Sequence, residues 1–68
     1  MCQMSVYLEK DGKMDLLMKN VEELEVTAEG VRVGAMFERP KEIKGASVKR
    51  IDFTGGKVIL SNEKGAGC

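Results

Sequence analysis

Cys2 is the residue with the most chemistry within reach. Methionine aminopeptidase acts when the second residue is small, and cysteine is small enough, so the mature chain is expected to begin at Cys2. An N-terminal cysteine carries a thiolate and a free amine on adjacent carbons, and the two can close a chelate ring on a metal. The backbone nitrogen of Gln3 adds a further donor if the metal displaces its proton. Nitrogen and thiolate donors in one plane suit Ni(II) or Cu(II), which favour square-planar geometry. One chain supplies two or three donors, and two chains meeting at a dimer axis could complete the set. The plainer reading stands beside this one: a cysteine near a terminus is more often a small apolar residue or an inert thiol.

Other chemistries are weaker. The chain has no histidine, so the usual general base and the commonest transition-metal ligand are both missing. An N-terminal cysteine can act as a nucleophile with its own amine as base, but nothing in the sequence completes a triad. Cys2, Met4, Met14, Met18 and Met36 offer soft sulfur of the kind Cu(I) takes, yet Met4, Met14 and Met18 fall where core methionines would. Glu22, Glu23 and Glu25 read as a solvated strand face. Lys41, Lys44, Lys49 and Arg50 are candidates for contacts to single-stranded RNA, as in small barrels with a basic groove. Interleaved Glu42 and Asp52 favour solvated charges instead, and the aromatics Phe37 and Phe53 read as core.

The chain of 68 residues allows a single domain. A core this small often relies on a metal, a disulfide or a second subunit, which makes a homodimer a reasonable expectation. Lys plus Arg and Asp plus Glu are 11 each, and this balance weighs against a dedicated duplex-DNA binder. No stretch is apolar and long enough to span a bilayer, and no signal peptide is seen. The expected compartment is the cytoplasm, where Cys2 and Cys68 would be thiols.

The elements that must position Cys2 read as short strands. Cys2, Met4, Val6 and Leu8 alternate with polar residues, at the period of a half-buried strand. Asp11-Gly12 marks a type I′ hairpin turn. A strand over about Met14 to Met18 follows, with Met14, Leu16 and Met18 on one face, and Asn20 breaks it. Val21, Leu24 and Val26 lead through Glu29-Gly30 to a strand at Val31 and Val33, in which Gly34 suggests a bulge. Phe37-Glu38-Arg39-Pro40 reads as a loop, Lys41 to Lys44 as a short polar strand, and Gly55-Gly56 as a turn before the last strand, Lys57 to Leu60. The expected fold is all-β, a small SH3-like barrel of about six or seven short antiparallel strands. Residues 1–61 form the domain, and residues 62–68 form a mobile polar tail.

The opening Met1-Cys2-Gln3-Met4-Ser5-Val6-Tyr7-Leu8 closely resembles the start of the CooT family. So do Asn20-Val21, Val31-Arg32-Val33 and Phe37-Glu38-Arg39-Pro40-Lys41-Glu42-Ile43, while Ile51-Asp52-Phe53 and Val58-Ile59-Leu60 fit its end. The resemblance implies a dimeric SH3-like protein. It implies nickel bound through the cysteine after the initiator methionine, here Cys2, in the maturation of carbon monoxide dehydrogenase. The family has also been labelled RNA-binding. Gly65-Ala66-Gly67-Cys68 extends beyond the family pattern.

Overall fold

The computed structural model describes residues 4–62, and these form six strands in one sheet. The strands are β1 (Met4–Lys10), β2 (Lys13–Val26), β3 (Gly30–Ala35), β4 (Glu38–Lys44), β5 (Ser47–Asp52) and β6 (Lys57–Ser61). Their order across the sheet is β4-β3-β2-β1-β6-β5. The all-β expectation holds. The hydrogen-bonded ladder stays open between β4 and β5, so it forms no closed barrel.

The first hairpin forms as its turn chemistry dictates. Lys10 pairs with Lys13, and the two residues between them have positive φ, 54° at Asp11 and 79° at Gly12. That is the demand of a type I′ turn, whose twist suits the flanking strands. The second hairpin turns at Ala28-Glu29, with Thr27 and Gly30 exchanging backbone hydrogen bonds of 2.8 and 3.3 Å.

Asn20 does not end its strand. It takes φ of 55° inside one continuous strand of 14 residues, β2. A short polar side chain tolerates this left-handed conformation, and one such residue bends a strand without breaking it. The register with β1 shifts on either side of Val6, and the register with β3 shifts between Val21 and Glu23. The first half of β2 therefore pairs with β1 and the second half with β3, so one strand carries the chain from one part of the sheet to the other.

The bulge near Leu17 also corrects the facing of β2. Met18 pairs with Val6 and is buried, whereas Leu16 pairs with Tyr7 and, with Met14, stays nearly half exposed. One extra residue inverts the alternation, so the three residues do not share a face. Two further readings are overturned. Glu38 to Pro40 belong to β4 instead of a loop, because Ala35 pairs with Glu38 across a two-residue turn. Phe37 and Phe53, expected in the core, lie outside it at 90 % and 79 % exposure, each in a turn.

β6 lies beside β1 in parallel, with Val6 opposite Val58 and Leu8 opposite Leu60. This departs from an all-antiparallel sheet. A parallel pair needs a long crossover, and here β2 to β5 together supply it. The core gathers between the two parts of the sheet: Val6, Met18, Val21, Val31, Val33, Ala46, Val58 and Leu60. Ile59 points away from that cluster yet is also buried, on the side it shares with Tyr7 and Arg50.

Gly30 is held by close approach. A Cβ there would overlap the carbonyl oxygen of Ile43 and come within 2.9 Å of Lys44 Cα. These contacts are backbone atoms of the paired strand, so no side-chain rotation relieves them. Gly30→Ala should cost about 1–3 kcal/mol, the range for overpacking. A urea midpoint unchanged from the parent would contradict that close approach.

Candidate functional site

The sequence points to the start of β1. Cys2 and Gln3 lie outside the described residues, but the position from which they lead is well defined. Met4 pairs with Val21 on β2, and the Ser5 N–H donates to the Gly56 carbonyl at 2.8 Å. β1 thus begins between the bend of β2 and the turn that precedes β6. The alternation that places Met4, Val6 and Leu8 toward the core anchors this end of the chain.

Among the described residues, no group of three or more Cys, Asp or Glu side chains could hold a metal. The thioethers do not converge on a second site. Met18 is buried in the core and Met4 packs against it, while Met14 and Met36 are exposed on different elements. The donors that the sequence suggests, at Cys2 and Gln3, lie outside the described residues.

The basic candidates divide between the two ends of the strand order. Lys41 and Lys44 lie on β4, and Lys49 and Arg50 on β5. Lys49 donates to Glu9 Oε1 at 2.6 Å across the intervening β6, so a carboxylate already offsets part of its charge. Such an exposed pair contributes at most about 1 kcal/mol, so its effect is on local charge more than on stability. On β3, Arg32 donates to Glu25 Oε1 at 3.0 Å and pairs in register with Glu42. Opposite charges thus alternate across that face. The outer edge of β4 carries Pro40 and a run of charges, features that discourage another strand from adding there.

The sequence reading missed the surface that stands out in three dimensions. Met36 and Phe37 form the whole two-residue turn between β3 and β4, at 66 % and 90 % exposure. Neither has positive φ, so this turn is not of the type I′ kind seen at Asp11-Gly12. Bulky apolar residues are poor choices for such a turn, where Gly, Asn and Asp are favoured. The signal was present in the sequence as two large apolar residues between Gly34 and Pro40, both breakers of regular pairing.

Fold and surface together define a small all-β protein with one open six-stranded sheet and an exposed apolar turn. Residues 1–61 match the family of the CO dehydrogenase accessory protein CooT, and the chain belongs to that family. It is accordingly an accessory protein and not an enzyme. The crystal structure of a protein assigned as CooT from Carboxydothermus hydrogenoformans superposes with a TM-score of 0.80. The two are 27 % identical over 91 % of this chain and 98 % of that one. No curated protein matches the sequence. No helix among the described residues is long and apolar enough to cross a membrane.

Proposed function

We infer that this protein is a nickel-binding accessory protein for a carbon monoxide dehydrogenase-like client, working in the cytoplasm as a homodimer. The observation that carries the reading is a family match over residues 1–61 in a chain with cysteine at its second position. Nickel would be held by the Cys2 thiolate, the amine freed when Met1 is removed, and the Gln3 backbone nitrogen. When bound, the metal is cargo for the client and supplies no reaction here. The residues of this chain bind and present it. Two chains, each giving two or three donors, fill a four-coordinate planar set that one chain leaves short.

The start of β1 suits that task. Met4, two residues after Cys2 in the sequence, is fixed by its pairing with Val21. The test is a Ni(II) titration of the mature protein under reducing conditions, read by absorption and native mass spectrometry. A thiolate-to-nickel band saturating at one metal per dimer is expected. No bound metal, with Met1 confirmed absent, would overturn the reading and turn attention to RNA. In that case Lys41, Lys44, Lys49 and Arg50 should carry salt-sensitive binding.

A further inference from the structure

The geometry points to the outer face of the sheet, around Ile59, as a docking surface for an acidic segment of another protein. This surface lies on the side away from the core and uses none of the donors at Cys2, so it stands independently of the nickel reading. Its centre is a row of four residues in register on four adjacent strands. Leu16 pairs with Tyr7, Tyr7 with Ile59, and Ile59 with Arg50. The row runs from apolar to cationic over roughly 14 Å.

Two bulges load this row. In an unbroken strand Leu16 would share the core face with Met18, and Arg50 would share it with Val48. One register shift falls between the Met18 and Leu16 pairs, and the other between Val48 and Arg50, with Lys49 as the extra residue. Each turns outward a side chain that alternation would send inward. Bulges re-aim side chains in this way and concentrate beside functional sites. Met14 and Leu16 are left nearly half exposed. Arg50 is exposed and has no carboxylate partner among the described residues.

Beside the row lies a cleft of about 460 Å³, lined by Glu9, Gly12, Met14, Lys49, Arg50 and Ile59. A cavity of about 150 Å³ holds a benzene ring, so this one admits a segment with several side chains. The described residues form one sheet without a helix, so no second layer of theirs covers the cleft.

Charge selects the occupant. Lys49 and Arg50 set two cations against one lining carboxylate, Glu9, which Lys49 already holds at 2.6 Å. Arg50 is left to receive a carboxylate from outside, and its planar fork suits two parallel hydrogen bonds to one. Met14 and Ile59 then meet apolar side chains next to that carboxylate. A second copy brings no spare carboxylate to this patch, because its own Glu9 is engaged. A nucleic acid needs a basic track along its backbone, and two cations with a carboxylate between strands make no such track. An acidic polypeptide with apolar neighbours fits both the charge and the cleft.

The test is a selection of displayed random peptides against the full chain under reducing conditions. The enriched peptide, acetylated and amidated, is then titrated into isotopically labelled protein. Enriched peptides should carry Asp or Glu beside a large apolar residue, and binding should move the amide signals of Met14, Arg50 and Ile59. Arg50→Gln should weaken binding by about tenfold or more, the effect of a central interface anchor, and glutamine in place of the peptide's carboxylate should do the same. Arg50 is exposed, so the variant should keep the parent circular dichroism spectrum. A selection that enriches no acidic peptide overturns the surface, and so do peptides that move signals elsewhere or bind Arg50→Gln equally well. Salt-sensitive binding of oligouridine at these signals, with no acidic peptide enriched, would assign the face to nucleic acid. Self-association of the parent that Arg50→Gln abolishes would assign it to a second copy. Either result overturns the proposal.

Discussion

Cys2→Ser should abolish the nickel charge-transfer band and weaken nickel binding by more than about 100-fold. Loss of one supporting group around a metal typically costs 10–100-fold in affinity, and here a direct ligand is lost. Serine keeps the size and the position of the side chain, so the sheet has no reason to change. Its hydroxyl is a hard, protonated oxygen at neutral pH, whereas nickel in a planar site favours thiolate and nitrogen. The parent and the variant should share the same urea midpoint, which separates a lost ligand from a lost fold. Cys68→Ser is the internal comparison. β6 runs parallel to β1, so Ser61 lies opposite Glu9, at the far end of β1 from Met4. Cys68 also lies beyond residues 1–61, the part the family match covers, so Cys68→Ser should leave stoichiometry and affinity unchanged. Full affinity in Cys2→Ser would remove the N-terminal thiolate from the site, and a loss in Cys68→Ser would add a second thiolate to it.

Leu60→Ala should be the most damaging substitution to the fold. Leu60 has no exposed surface and is among the largest fully buried side chains. It faces Leu8 on β1 and Val48 on β5, so it ties three strands into the core. Removing a buried leucine side chain to the Cβ costs about 2–5 kcal/mol, from lost transfer energy and the cavity left behind. A chain of 68 residues has a total stability of about 3–10 kcal/mol. The substitution therefore removes a large share of it, and the thermal midpoint should fall by about 8 °C or more. Tertiary burial alone sets this magnitude. Ile51→Ala, one strand away on β5, should cost far less because Ile51 is 43 % exposed. Equal losses at both positions would contradict the observed core.

Much of the local structure was legible from residue types. Asp11-Gly12 specified its turn because positive φ at both positions restricts the choice of residues. Val31 and Val33 announced β3 by alternation, and both are fully buried. Gly34 announced a bulge, and the registers of β3 shift on both sides of it. Glu22, Glu23 and Glu25 were read as a solvated face and are exposed. In each case the physical cause acts within a few residues along the chain, where sequence is informative.

The facing of Met14, Leu16 and Met18 was not legible. Alternation assigns sides by counting, and the bulge near Leu17 changes the count by one. The exposure of Phe37 and Phe53 was hidden for a related reason. Hydrophobicity says what a side chain gains from burial, but only the paired strands decide whether a position lies in a ladder or at its tip.

By itself the sequence determined an all-β chain and its principal turns, because those follow from local conformation and from the chemistry of single residues. The tertiary structure alone decided that β6 lies parallel to β1, that β2 takes a left-handed residue at Asn20 and serves both parts of the sheet, and that Lys41 and Lys44 lie on one edge strand and Lys49 and Arg50 on the other. It also decided that an apolar turn projects near the start of β1. These features depend on which distant strands pair and in which register, and pairing energy between strands is nearly the same for many arrangements until one core is filled.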